Sequence, residues 1–233
     1  RDHAEYLGDT PELIASAKAG IMKRGVPAVI APQEFPEVEP VLERYGARVG
    51  ARLIEAGQHF HIREEQGRLI VEDEDGLVDL PLPRLAGRHQ QINAGTAVAA
   101  LRAAGFGRLP VAAYEAGIIG AEWPARLQRL TRGRLADQLP EGAELWLDGG
   151  HNPDGGKVLA AAMADFEERA SRPLVMIVGM LGTKDSAGFL LPFAGLAGQV
   201  MTIPIKGNVA SRSAAEVAAL AEAAGLPAVP CAG

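Results

Sequence analysis

From Trp123-Pro124 to the C-terminus, short apolar runs alternate with helical ones, and that order leaves few folds open. Strand-like runs lie at 144–147, 174–178, 200–203 and 226–229, with helical runs at 155–169, 186–194 and 214–224 between them. Strand and helix in turn predict an α/β architecture with a mostly parallel, doubly wound sheet. Ligands of such a sheet sit outside the carboxyl ends of its strands. The loops 148–156, 179–185 and 204–211 all fall on that edge.

The loop Asp148-Gly149-Gly150-His151-Asn152-Pro153-Asp154-Gly155-Gly156 follows an expected buried strand at 144–147. Its four glycines let backbone approach a bound group, while Asp148 and His151 supply an acceptor and a switchable donor. A turn with a helix cap is the other reading. A phosphate-cradling Gly-x4-Gly-Lys-Ser/Thr loop fails on spacing. Counted from Gly150, the lysine position holds Gly156, Lys157 comes one place late, and Val158 follows it. Asp154 would also repel a polyphosphate, which favours a ribose hydroxyl, a metal-bound group or a polar substrate.

The first half is organised differently. Asp9-Thr10-Pro11-Glu12 reads as a helix start, with Asp9 and Glu12 at capping-box spacing and Gly20 as the stop. A strand at 26–31 and a helix carrying Val38, Val41, Leu42 and Tyr45, ended by Gly46, complete a β-α-β unit. Between 48 and 82 the pattern becomes an antiparallel excursion of strands at 60–63, 68–72 and 77–82, with Asp73-Glu74-Asp75-Gly76 as a turn. An alanine-rich helix at 89–104 closes at Gly105, a helical piece follows at 111–116, and 117–122 reads as a linker. Two domains are therefore expected, 1–120 and 121–233.

With 233 residues, 48% of them apolar, the chain can bury one large core or two smaller ones. Its net charge of −6 argues against a basic nucleic-acid groove, leaves room for a local cationic pocket for a small anion, and points to small-molecule partners. The single cysteine, Cys231, excludes an internal disulfide framework, no apolar run reaches membrane-spanning length, and a cytoplasmic monomer is expected. The abrupt polar start at Arg1-Asp2-His3, without an initiator methionine, suggests a fragment.

Each remaining candidate has a plain structural alternative. Asp2, His3 and Glu5 precede a helix, where they can bind Mg²⁺ or simply cap it. Lys18, one turn after Ile14, is expected to pack its stem inward, as a snorkelling residue or as a lysine of lowered pKa suited to modification. Gln90 and Asn93 lie one turn apart, able to read a base edge or to serve as capping amides. Arg126 can grip a phosphate with its planar fork or join a surface ion pair. Lys184 can hold a substrate carboxylate, and Asp185 can cap the next helix.

Taken in order, these motifs resemble the folylpolyglutamate synthase and dihydrofolate synthase family of the Mur ligase superfamily. The resemblance rests on Asp2-His3 with Leu7-Gly8-Asp9-Thr10, Lys18-Ala19-Gly20-Ile21, His89-Gln90 with Asn93-Ala94, Trp123-Pro124-Ala125-Arg126-Leu127, Leu147 through Pro153, and Gly179-Met180-Leu181 with Lys184-Asp185. These six segments span nearly the whole chain. The family form has alanine at Gly150 and glycine at Ala125, two changes that read as small.

The resemblance implies the C-terminal part of a P-loop-type ATPase domain followed by a Rossmann-like, doubly wound glutamate-ligase domain. It implies ATP and Mg²⁺, with L-glutamate and dihydropteroate or a folate as substrates. His3 is implied as a magnesium ligand and Lys18 as the carbamylated lysine beside that metal. Asn93 is implied as the adenine contact and Arg126 as the phosphate contact, with Asp148 and His151 as the pair meeting the nucleotide from across a cleft. Lys184 is implied, by analogy with related enzymes, as a contact for the incoming glutamate. The family's P-loop lies upstream of the Asp-His segment and its closing strand lies beyond Gly233, so a fragment with little or no activity of its own is expected. A peptidoglycan-type amino acid ligase is the alternative within ligases, disfavoured by the His-Asn-Pro loop and the His-Gln helix entry. A non-catalytic nucleotide-binding module is the alternative outside them.

Overall fold

The structure is a computed structural model that describes residues 10–232. Asp2, His3, Glu5 and Asp9 lie outside the described residues, so the magnesium ligand expected at His3 and the cap expected at Asp9 do too. Two compact units divide between Pro124 and Ala125.

The first unit opens with α1 (Pro11–Ala19), β1 (Pro27–Ile30), α2 (Val38–Val49) and β2 (Arg52–Glu55), with β1 and β2 parallel. α1 is capped by Thr10, whose side chain accepts from the Leu13 amide, so Glu12 is not the partner of a capping box. α2 runs past Gly46 and ends at Gly50, which takes a left-handed φ of 74° and donates to Gly46 O. Gly46 is a packing residue, not a stop: a β-carbon there would lie 2.7 Å from Leu53 Cδ2. Ala15, Ala19, Ile30, Val38 and Leu42 form the core beneath this unit.

Strands β3 (Phe60–Glu65), β4 (Arg68–Asp73) and β5 (Gly76–Pro81) form the expected antiparallel meander. Val78 and Leu80 on β5 alternate with outward residues, whereas Leu69, Ile70 and Val71 on β4 are all buried; Leu69, Val71, Val78 and Leu80 meet Val98 of α3 (Arg88–Leu101) and Tyr114 and Ile118 of α4 (Val111–Gly120). Fully burying each such side chain is worth about 1.5–3 kcal/mol. Between α3 and α4 a π-helical turn, Arg102–Phe106, breaks at Gly105, where φ is 89°. The linker expected at 117–122 is helical through Gly120, because Ile118 carries the apolar face of α4 into the core.

The second unit contains β6 (Gln128–Leu130), β7 (Leu145–Leu147), α5 (Pro153–Arg169), β8 (Leu174–Val178), α6 (Ser186–Leu190), β9 (Ala197–Thr202), α7 (Ala214–Ala223) and β10 (Ala228–Pro230). β8, β9 and β10 form a parallel sheet in the order β10-β9-β8, over a core that includes Val178, Leu190, Phe193, Val200, Val217 and Leu226. The expected mostly parallel sheet holds for these strands only. β7 pairs antiparallel with β6, and it is not a buried strand: Leu147 is 46% exposed. A sheet of two strands with three residues each has too few neighbours to bury its side chains fully.

Candidate functional site

The polar loop after β7 divides into two parts with different roles. Its second part is a helix start: Asn152 Oδ1 accepts from Gly155 N at 2.7 Å and Pro153 occupies the first turn, where its missing N–H costs nothing. Gly155 and Gly156 therefore belong to α5. Gly156 serves close packing, since a β-carbon would lie 2.3 Å from Phe189 O of α6. A β-carbon at Gly150 would come within 2.7 Å of Leu159 Cδ1 and 3.1 Å of Phe189 Cε2. The alanine usual at that place in the family would require Leu159 to move, so this change is coupled to the packing of α5 and α6.

The first part of the loop is tied to the turn before β6. Asp148 Oδ2 accepts from Leu127 N at 2.6 Å and Asp148 Oδ1 accepts from Gly150 N at 2.6 Å. Gly149 N donates to Ala125 O at 2.9 Å, and Ala125 N donates to Gln128 Oε1 at 3.1 Å. Between these anchors the backbone is left-handed twice, with φ of 55° at Ala125 and 42° at Leu127. Such geometry costs a residue with a β-carbon about 1–2 kcal/mol. The buried Leu127 side chain and the Asp148 carboxylate hold the turn against that cost. Arg126 sits between the two strained residues, exposed and without a hydrogen bond or ion pair among the described residues. The family glycine at position 125 would adopt this conformation without strain. Ala125 is thus an energetic change as well as a chemical one.

His151 Nδ1 lies 2.9 Å from Gly149 O, and a carbonyl can only accept, so Nδ1 carries a proton and the ring is oriented by the loop's own backbone. Below the loop, Glu144 accepts from Trp146 Nε1 at 3.2 Å and pairs with Arg129 Nη2 at 2.9 Å and Arg172 Nη1 at 2.8 Å. The Arg172 hydrogen bond, then the Trp146 bond and Arg129, hold the Glu144 carboxyl below its ordinary pKa against the opposing effect of burial. This network fixes the root of β7, which leads into Asp148.

Lys184 is half-buried in the loop after β8. Asp185 caps α6, its Oδ1 accepting from Gly188 N at 2.9 Å, and a β-carbon at Gly188 would lie 2.7 Å from Pro153 Cγ. That contact brings the Lys184–Asp185 segment to the same edge as the start of α5. The loops after β8 and β9 are joined as well, by a bridge between Leu181 and Ser211 and by Arg212, whose backbone N donates to Met180 O at 2.9 Å and whose Nη2 donates to Gly182 O at 3.1 Å. Arg212 is absent from the sequence-predicted set; its only signal was its place before the Ser213–Glu216 capping box. Gln128 had no signal at all, being one polar residue on a short strand.

In the first unit, Asn93 Nδ2 donates to Gln90 Oε1 at 3.2 Å, and Gln90 Nε2 meets His89 Nε2 at 3.0 Å. Gln90 is buried and Asn93 exposed. The amides bond one another, so the capping alternative does not hold; Gly87, at a φ of 102°, begins the helix without a side-chain cap. Since Gln90 Oε1 takes one Asn93 proton, Asn93 keeps Oδ1 and a second amide proton for another partner, the pattern that matches the N6/N7 edge of adenine. Lys18 is exposed on α1, and the expectation of an inward stem fails because Ala15 and Ala19 carry the buried stripe. Among the described residues no three histidines, cysteines or acids gather as metal ligands. Nor is any helix among them long and apolar enough to cross a membrane.

The fold and these loops define a mixed α/β protein whose second unit carries an oriented imidazole and a capped helix N-terminus in the loop after β7, beside a sheet of two strands that is separate from β8 to β10. No protein-family model matches the chain. It is 34% identical over 239 residues to the dihydrofolate synthase/folylpolyglutamate synthase of Mycobacterium tuberculosis, covering 96% of this chain and 46% of that protein. It is 30% identical over 216 residues to the folylpolyglutamate synthase of Lacticaseibacillus casei, covering 89% of this chain and 47% of that protein. An Escherichia coli FolC structure, in complex with DHPP and ADP, superposes with a TM-score of 0.83 at 26% identity over 100% of this chain and 51% of that one. The chain belongs to the folylpolyglutamate synthase/dihydrofolate synthase family. It spans about half the length of the curated relatives it matches.

Proposed function

We propose that this chain works as part of an ATP-dependent ligase that joins L-glutamate to dihydropteroate, to the γ-carboxylate of a folyl-glutamate, or to both. Residues 1–120 are read as part of its ATPase domain and 121–233 as its glutamate-ligase domain. The observation that carries the reading is the Asp148 carboxylate, which binds the Arg126 turn to the His151 loop and makes one cluster of two distant motifs.

In this reaction a substrate carboxylate oxygen attacks the γ-phosphorus of ATP, ADP leaves, and an acyl phosphate forms. The glutamate amine then attacks the acyl carbon, losing a proton as phosphate departs. Arg126 neutralises charge on the transferring phosphoryl group, and positioning with electrostatics supplies most of the acceleration. Asn93 reads the adenine edge through the groups that Gln90 leaves to it. Asp148 and His151 meet the nucleotide, and Lys184 contacts the glutamate carboxylate. Mg²⁺ and a carbamylated Lys18 belong to the same proposal; the exposure of Lys18 leaves its amine accessible to carbon dioxide.

The test is an ATP-dependent glutamate-ligation assay on the product of the full reading frame, offering dihydropteroate and a reduced folate monoglutamate separately. Turnover of both means a bifunctional enzyme, and turnover of one a dedicated synthase. Turnover of neither would replace the proposal with a non-catalytic nucleotide-binding module. The chain alone is expected to turn over slowly or not at all.

A further inference from the structure

We propose that Gln128 and Asp148 are positioning residues for Arg126, clamping the backbone on either side of it so that its guanidinium is presented from a strained turn. The proposal rests on the reading of Arg126 as the phosphate contact and deepens it.

Arg126 has no side-chain partner among the described residues, so nothing grips its guanidinium directly. What is gripped is the backbone. Gln128 Oε1 accepts the Ala125 amide at 3.1 Å on one side, and Asp148 Oδ2 accepts the Leu127 amide at 2.6 Å on the other. Gly149 N closes the ring by donating to Ala125 O at 2.9 Å. Both clamped residues are left-handed although neither is glycine. Strain of this kind persists where the surroundings over-determine it, and it concentrates where a side chain must be aimed.

The Asp148 carboxylate meets two backbone amides of its own unit, through Oδ2 at Leu127 and Oδ1 at Gly150. Its distinctive act is thus to set the distance between the Arg126 turn and the His151 loop. Gln128 completes the arrangement from within β6, where pairing with Leu147 holds it in register with the strand that leads into Asp148. A charge presented this way is oriented before the ligand arrives, so its loss is expected in kcat and not in binding.

The test is steady-state kinetics of ATP-dependent ligation by the full reading frame, with amide hydrogen exchange as a readout independent of activity. Gln128→Ala is expected to lower kcat by about tenfold or more while the KM for ATP stays within about threefold, whereas Asp148→Asn, which also changes a proposed nucleotide contact, is expected to lower kcat and raise that KM together. Gln128→Glu keeps the acceptor and is expected to restore most of kcat. Arg126→Ala with Gln128→Ala is expected to be no worse than Arg126→Ala alone, because the clamp acts through Arg126. Exchange should accelerate at the Ala125 amide in Gln128→Ala and at the Leu127 amide in Asp148→Asn. Equal losses from Gln128→Ala with and without Arg126 would overturn the proposal, as would unchanged exchange. Should Arg126→Ala leave kcat intact, the phosphate-contact reading fails and the clamp's catalytic role goes with it. In that case accelerated exchange would show that the clamp itself exists, which separates the two failures.

Discussion

Two polar clusters in this chain are ordered by opposite means. At the start of α3 a side-chain relay runs from His89 through the buried Gln90 to the exposed Asn93, on backbone of ordinary helical geometry. Around Arg126 the side chain is left alone and the backbone is held, at two left-handed residues, by the acceptors Gln128 and Asp148. A relay leaves its last amide with a defined donor and acceptor, which suits reading a flat base edge. A clamped turn aims a charge from a fixed origin, which suits a moving phosphoryl group.

Removing the clamp should cost most. Asp148→Ala deletes a charged acceptor from two backbone amides and leaves the strain at Leu127 unopposed, so a loss of about 3 kcal/mol in unfolding free energy is expected by denaturant titration. Gln90→Ala removes the centre of the relay, and a smaller loss of about 1.5 kcal/mol is expected, since both of its partners can turn to water. Comparable losses for the two would show that the strain contributes nothing.

Glu144 sharpens the comparison by its pH dependence. Its folded pKa is lowered, chiefly by Arg172, so its contribution is complete above the ordinary carboxylate pKa of about 4.3 and disappears as pH falls through the folded value. Glu144→Gln should cost about 1 kcal/mol at neutral pH and nothing at acid pH, measured as parallel titrations of the two proteins. The smallest effect is expected from Ala125→Gly. Relief of left-handed strain there is offset by the greater freedom of glycine in the unfolded chain, leaving a net change within about 0.5 kcal/mol by the same measurement.

Much of this was legible in the residues. Alternation and turn residues located the meander of β3 to β5, and apolar runs located β8, β9 and β10. The candidates Arg126, Asp148, His151 and Asn93 were all visible as motif residues, and the structure ties Asp148 to the backbone of the turn that carries Arg126 and of the loop that carries His151. Lys18 was misjudged because helical spacing alone does not say whether a lysine or its alanine neighbours take the buried stripe; Ala15 and Ala19 do. Gly46 was misread as a helix stop because glycine marks close packing as readily as chain termination, and Leu53 decided between them.

The local chemistry of the chain determined where strands and helices form, where Asn152 and Asp185 cap them, and which polar residues can meet an anion. Those properties depend on neighbours a few positions away. Tertiary structure alone decided that β7 pairs back onto β6, that Gly150 and Gly156 make room for Leu159 and Phe189, and that Gln128 and Asp148 hold the turn around Arg126. Asp148 stands 21 positions from Leu127, and a hydrogen bond over that separation exists only once packing has brought the two segments together.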